Sequence, residues 1–355
     1  MMHRSAVTVA VVHAGGIALA VLVAAASAPG QMQGLGVTVP EPAMWRFTAL
    51  AVDGGGTVFA VEGDTLYRLD GGAFQSFVTS IEAKAFGGEE VTIDPSGFAV
   101  DAAGSVAYLA TGGSGRLVEI DIDPASGGFG SARELTGAAM QSNYGLAVDP
   151  IYGHVFLTDS YSADLYGVDP SGAGTMTLLK SFTGGMFGGG IGFAPDGRLV
   201  VPVAKSFCNW QAGEDDYAID MWRFGTEFLD EVAAGIPPTD PGDAYAQMLQ
   251  VSGHGFVAVD ADGVAYLQGA DGIYRVGPSG NLSVLAGDTS QNVFGMVGIG
   301  FMGLAYDATA NRLLFAYRDT DGVPFELYEY ALPEPATLGL LALGAAGLWV
   351  RRRRT

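Results

Sequence analysis

The chain has 355 residues, of which 54 are glycine; 49% are hydrophobic and only 15% charged, a balance that excludes disordered and long-helical classes and suits a glycine-punctuated β-domain. Its formal net charge of −21 becomes more negative still once Arg4 and Arg351 to Arg354 at the two ends are set aside. Nucleic acid is thereby excluded as a partner, because binding it relies on cationic neutralisation of phosphates, whereas cations and neutral polymers remain compatible.

In chain order, Arg4, the apolar run Ala6 to Ala26 and the small residues Ala24 to Ala28 read as a secretory signal peptide over residues 1–28, with an uncleaved amino-terminal anchor as the alternative. Residues 29–44 read as a Gly/Pro linker containing a β-branched patch, Val37-Thr38-Val39. From there a unit recurs whose fullest copy is Gly145 to Pro170, an apolar strand, a turn and two further short strands, with a fourth strand following at Met176 to Phe182. Its small-apolar-Asp step appears at Leu50 to Asp53, Phe98 to Asp101, Leu146 to Asp149, Ile191 to Ala194, Val257 to Asp260 and Leu304 to Asp307.

Measured at Val52, Val100, Val148, Phe193, Val259 and Tyr306, the spacings are 48, 48, 45, 66 and 47 residues. A period of roughly 40–50 residues with four short strands is that of a propeller blade, a small twisted sheet that must stack on neighbours to bury both faces. The fold class expected is all-β, a six-bladed β-propeller over residues 45–332. Its aspartates read as turn residues rather than ligands, because Asp bonds its own backbone and the following Gly takes positive φ. The sixth repeat ends after its third strand, Phe325 to Tyr330, with no fourth strand before Pro333, so Val37 to Val39 are expected to close the ring as the missing outer strand.

The irregular interval of 66 residues falls in blade four. One excess lies between its second and third strands, the other between Gly225 and Gly255. Assigning the latter to the connection into blade five puts both on one face, where Trp210, Tyr217 and Tyr245 would meet Glu214, Asp215, Asp216, Asp220 and Asp243. Aromatics grip sugar rings and carboxylates bind Ca²⁺, so Trp210, Tyr217, Tyr245 and His254 are ligand-binding candidates, and Asp215 and Asp216 metal candidates. The alternative is a solvated acidic loop. His154 reads as a turn histidine, and Cys208, the single cysteine, as a small buried hydrophobe.

Across residues 45–330 the repeats resemble the NHL and gluconolactonase/regucalcin-like six-bladed propellers. In the lactonases of that group a Glu, an Asn and an Asp hold a divalent cation. The resemblance places Asn143 of Asn143-Tyr144-Gly145 at the Asn position and makes Leu157-Thr158-Asp159-Ser160 similar to the stretch that follows, so Asn143 and Asp159 join the metal candidates. Met44-Trp45-Arg46 and His254-Gly255 depart from the other two motifs.

Pro333-Glu334-Pro335, the apolar run Leu338 to Val350, and Arg351-Arg352-Arg353-Arg354 follow in order at the carboxyl end. They resemble a PEP-CTERM sorting tail over residues 333–355, which implies exosortase as a processing partner and export through the inner membrane of a Gram-negative-type bacterium. The apolar run is a short transmembrane helix of about 20 Å, held by arginines on the cytoplasmic side. It is either removed or kept as an anchor. The sequence thus points to a non-enzymatic cell-surface or matrix propeller binding polysaccharide, cation or protein on one face. The alternatives are a metal-dependent lactonase or hydrolase of the regucalcin type and a purely structural matrix component.

Overall fold

Six antiparallel blades, five of them built from consecutive stretches of chain and the sixth from both ends of the described propeller, form a closed ring. They are seen in a computed structural model that describes residues 32–40, 49–87, 95–111, 115–136, 143–159, 162–172, 174–182, 187–188, 190–204, 216–252, 256–268, 272–287, 300–318 and 324–332. Strand β1 (Met32–Thr38) belongs to the last blade. Blade one holds β2 (Ala49–Val52), β3 (Val58–Glu62), β4 (Thr65–Asp70) and β5 (Ala73–Val78), followed by the single-turn helix α1 (Ile81–Phe86). Blade two holds β6 (Pro95–Val100), β7 (Val106–Thr111), β8 (Leu117–Asp121) and β9 (Ala132–Thr136); blade three holds β10 (Asn143–Val148), β11 (Val155–Asp159), β12 (Asp164–Val168) and β13 (Met176–Ser181). In blade four the first strand is split into β14 (Phe187–Gly188) and β15 (Gly192–Phe193), both pairing with β16 (Leu199–Ala204), and β17 (Asp216–Phe224) and β18 (Asp243–Ser252) follow, with helix α2 (Thr226–Ala233) between them. Blade five holds β19 (Val257–Val259), β20 (Ala265–Gln268), β21 (Gly272–Val276) and β22 (Leu282–Gly287), and blade six β23 (Gly300–Asp307), β24 (Arg312–Arg318) and β25 (Glu326–Ala331).

Burial follows from stacking blades on both faces. Second strands are largely apolar on both sides and mostly buried, β16 throughout, whereas outer strands such as β13 keep polar or exposed positions. The core is correspondingly divided into six apolar clusters, one at each contact between consecutive blades, the sixth joining blade six to blade one.

The ring is closed by β1, which pairs antiparallel with β25 from Met32 opposite Tyr330 to Thr38 opposite Glu326. The closing strand therefore starts five residues before the expected patch, and Val39 continues past it with its N–H donated to the Phe325 carbonyl at 2.8 Å. Between Gly34 and Val37 the register shifts, and Gly36 at φ +67° supplies the left-handed residue this bulge needs. Val37 and Val39 are both buried in the cluster between blades six and one.

In each blade the connections between strands one and two and between strands three and four open on one side of the disc, here the turn face. The hairpins between strands two and three and the crossings between blades open on the other. Both β1 at Met32 and β25 at Ala331 meet the turn face, so the two ends of the ring stand side by side there.

Candidate functional site

The blade aspartates hold turns. The Asp53 carboxylate accepts from the N–H groups of Gly55 (2.9 Å) and Thr57 (2.8 Å), that of Asp101 from Ser105 (2.7 Å), that of Asp149 from Ile151 (2.8 Å) and that of Asp260 from Asp262 and Val264 (both 2.9 Å). Asp307 does the same for Thr309 and also receives Arg312 Nε at 2.9 Å. Burial would raise its carboxyl, but the bonds from Thr309 and Arg312 outweigh that and hold it below the ordinary carboxylate value.

Of the residues singled out from the sequence, Asn143 and Asp159 are brought opposite one another at the ends of β10 and β11, away from the turn face, with Asp159 buried. Asp216 and Tyr217 begin β17 on that same side. Trp210, Glu214, Asp215, His254 and Cys208 lie outside the described residues, as do Pro333, Glu334, Pro335 and Arg351, Arg352, Arg353 and Arg354. Among the described residues, no three His, Cys, Asp or Glu side chains are grouped as a metal would need.

The expectation of a single crowned face is corrected by the topology. The second insertion connects strands three and four of its own blade, not blade four to blade five, so it opens on the turn face, opposite the end of β16 at Ala204 and the start of β17 at Asp216. Tyr217 pairs with Val251, whereas Tyr245 lies opposite the step between Met221 and Trp222, which separates the two tyrosines by about 15 Å along the strands. Asp220 is a buried strand residue whose carboxylate receives Gln247 Nε2 at 3.1 Å. Tyr245 packs against the core between blades four and five, with the Arg223 guanidinium 5.1 Å from its ring centroid. Burial pushes its phenol up to about 12, and its hydroxyl has no hydrogen-bond partner among the described residues.

The insertion on the turn face is ordered by its own sequence. Helix α2 starts after Gly225 in extended conformation, with Glu227 in the first turn where the helix dipole favours an anion. Phe228 and Leu229 are fully buried and Val232 packs beside them, and the Phe228 ring lies 4.6 Å from Phe224 and 6.3 Å from Phe156. The helix stops at Gly235 (φ +68°), whose N–H reaches the Val232 carbonyl, and Pro237 and Pro238 prevent its continuation. Asp240 then staples the excursion, taking Gly242 N–H at 2.9 Å and Gly225 N–H at 3.2 Å. Gly242 is required by its surroundings, because at φ +69° a Cβ would lie 2.5 Å from the Phe224 ring. Tyr152, in the first turn of blade three, donates its hydroxyl to Asp230 at 2.6 Å and ties the helix across to that blade.

Between the end of α2 and the outer half of blade three this leaves a groove of 420 Å³. Its walls are Leu178 and Leu179 of β13 on one side and Ile236, Pro237 and Pro238 on the other, with His154, Asp169, Thr175 and Thr177 supplying polar groups. Ile236 is 53% exposed, an apolar side chain left open to solvent at the rim. His154 stacks on Tyr152 (centroids 6.3 Å), its Nδ1 is buried without a partner among the described residues, and its Nε2 lies 4.0 Å from Asp169 Oδ1. A hydrogen on Nδ1 would be a buried donor with nothing to accept it, which places the hydrogen of the neutral ring on Nε2, facing Asp169. The Ser171 hydroxyl, together with the Ser171 N–H, bonds Asp169 Oδ1 and holds its carboxyl below the usual range against a raising effect of burial, so the group is ionised at neutral pH. Sequence reasoning missed this site because it placed the second insertion in the wrong connection. The signal available was Gly225 followed by Phe228, Leu229 and Val232 at helical spacing and then Gly235-Ile236-Pro237-Pro238.

Comparison with known proteins adds the carboxyl end and the fold. Residues 331–354 match the PEP-CTERM protein-sorting motif. The chain therefore carries a sorting signal recognised by exosortase, one that indicates export and sorting to the cell surface in Gram-negative bacteria. Among the described residues no helix is long and apolar enough to cross a membrane. No curated protein matches the chain. Among solved structures, a gluconolactonase from Xanthomonas campestris is similar at 15% identity and a TM-score of 0.56, covering 85% of this chain and 89% of its own. A PQQ-bound aldose sugar dehydrogenase from Streptomyces coelicolor is similar at 14% identity and 0.54, covering 85% and 99%. A putative gluconolactonase stands at 14% and 0.53, covering 86% and 94%. At these identities the likeness shows the propeller fold alone.

Proposed function

We propose that this exosortase-sorted propeller is a non-enzymatic binding module at the cell surface, and that its ligand enters the groove between α2 and blade three. The observation that carries this reading is the way blade four spends its extra chain. The insertion is fastened by Asp240, Asp230 and two fully buried apolar side chains, yet it stands away from β13 and leaves an open cleft lined by apolar walls and a few polar groups. Ligand sites are concave, largely apolar and given orientation by a small number of polar groups, and functional residues concentrate on loops held by a rigid scaffold.

On this reading the sorting tail delivers the module and is then removed, so the mature form lacks Leu338 to Thr355. The test uses an exosortase-bearing host. Intact-mass analysis of the surface form should show the shortened carboxyl terminus, and Thr177→Trp, which fills the groove, should reduce retention on washed cells several-fold while the melting temperature stays within about 2 °C of the parent. Retention equal to that of the parent would overturn the groove as the site.

A second reading, a metal-dependent lactonase, is favoured by one observation, the pairing of Asn143 with Asp159 on the other face. It requires that gluconolactone hydrolysis by the purified protein disappear on treatment with chelator and return with added divalent metal.

A further inference from the structure

Resting on the reading of the groove as a binding site, we propose that its ligand is a neutral sugar unit, held by one hydroxyl between His154 and Asp169. The argument begins with the gap between those two side chains. At 4.0 Å, His154 Nε2 and Asp169 Oδ1 are too far apart for a direct hydrogen bond, but one oxygen about 2.8 Å from each fits between them. That oxygen must accept from Nε2–H and donate to a carboxylate. An alcohol hydroxyl does both with one atom. A carboxylate or phosphate oxygen has no hydrogen to give and meets the Asp169 charge, while an ammonium group has no lone pair to accept with.

The rest of the groove fits the same class. The side chain of Leu179 and the exposed side chain of Ile236 face a ring from opposite walls, matching the apolar C–H faces of a pyranose. Thr175 and Thr177 add hydroxyls that both donate and accept, the pattern needed by further ring hydroxyls. The volume of 420 Å³ lies within the roughly 300–1,000 Å³ of small-ligand sites. The chain's net charge of −21 also disfavours acidic sugars at long range.

The experiment is a glycan array with the full-length chain in mild detergent, carrying neutral hexose oligomers and uronate-containing oligomers, followed by titration of the best neutral binder. Asp169→Asn should weaken neutral binding about tenfold and Thr177→Val about fivefold, with no change in melting temperature; both remove polar groups in direct contact with the sugar. Thr177→Val guards against any effect of Asp169→Asn on the Ser171 turn. Binding of uronate oligomers alone, or no loss in either variant, overturns the proposal. A parent that binds no sugar also overturns it, and if Thr177→Trp still abolishes surface retention in that case, the binding-module reading survives with a different ligand.

Discussion

Blades four and six both depart from the even repeat, and they do so in opposite directions. Blade six is assembled from the two ends of the chain, and its irregularity is filled with stabilising contacts. Val37 and Val39 are buried against β25 and blade one, and Arg312 joins the buried Asp307 to Glu329. Blade four is assembled from continuous chain with residues to spare. It has Ala194 where blade six has Asp307, its turn aspartate Asp196 is 54% exposed and bonds its neighbour Arg198, and its outer strand buries the Tyr245 hydroxyl without a partner among the described residues. The difference teaches where a ring can tolerate variation. The closure joins every blade to every other, so a defect there opens the whole ladder, whereas an insertion confined to a 3–4 connection leaves both neighbouring contacts intact.

The largest effect should come from cutting the closure. Deleting Gly36 to Val39 removes two buried valines worth about 1.5–3 kcal/mol each and exposes the edge of β25. The thermal midpoint is expected to fall by roughly 10 °C; an unchanged midpoint would mean that β1 contributes nothing to the ring.

Next in size is the contrast between two turn aspartates at different positions, since blade four has Ala194 where blade six has Asp307. Asp307→Ala removes a carboxylate that is 1% exposed and strands part of the Arg312 charge, at a cost of about 3 kcal/mol in denaturant unfolding. A loss from Asp307→Ala no greater than that from Asp196→Ala would erase the distinction between the two blades.

Tyr245→Phe should act with the opposite sign. Removing a buried hydroxyl that has no partner is expected to stabilise the fold by about 1 kcal/mol. The pH dependence sharpens the point. The Tyr245 phenol is raised in the folded state, so its contribution is complete below pH 10 and is lost as pH rises through about 12. The Phe variant should therefore lose less stability than the parent across that alkaline window, as read by unfolding at several pH values; identical pH profiles would show that Tyr245 does not titrate against folding.

The smallest effect is that of Asp196→Ala itself, below about 1 kcal/mol because the side chain is mostly solvated. A loss of several kcal/mol there would show blade four to be as intolerant as blade six.

Sequence alone determined the blade count, the turn role of the aspartates, the closing strand and the sorting tail. Each is a local pattern, a period, an Asp-Gly turn, a β-branched patch or a tripeptide before an apolar run, whose meaning does not depend on distant neighbours. The side of the disc on which an insertion opens is a different kind of fact. Residues 225–255 read equally as a 3–4 connection or as a crossing to the next blade, and only the pairing of Arg223 with Asp243 and of Tyr217 with Val251 decides between them. That one choice of connection moves Tyr245 about 15 Å from Tyr217 and sets α2 against blade three instead. His154 and Asp169, fifteen residues apart and unremarkable in the sequence, face one another because β11 and β12 run antiparallel from the same turn face. The groove beside them exists only because a helix from the neighbouring blade stops short of β13, and where two separately folded segments leave a gap is a property of their packing in space.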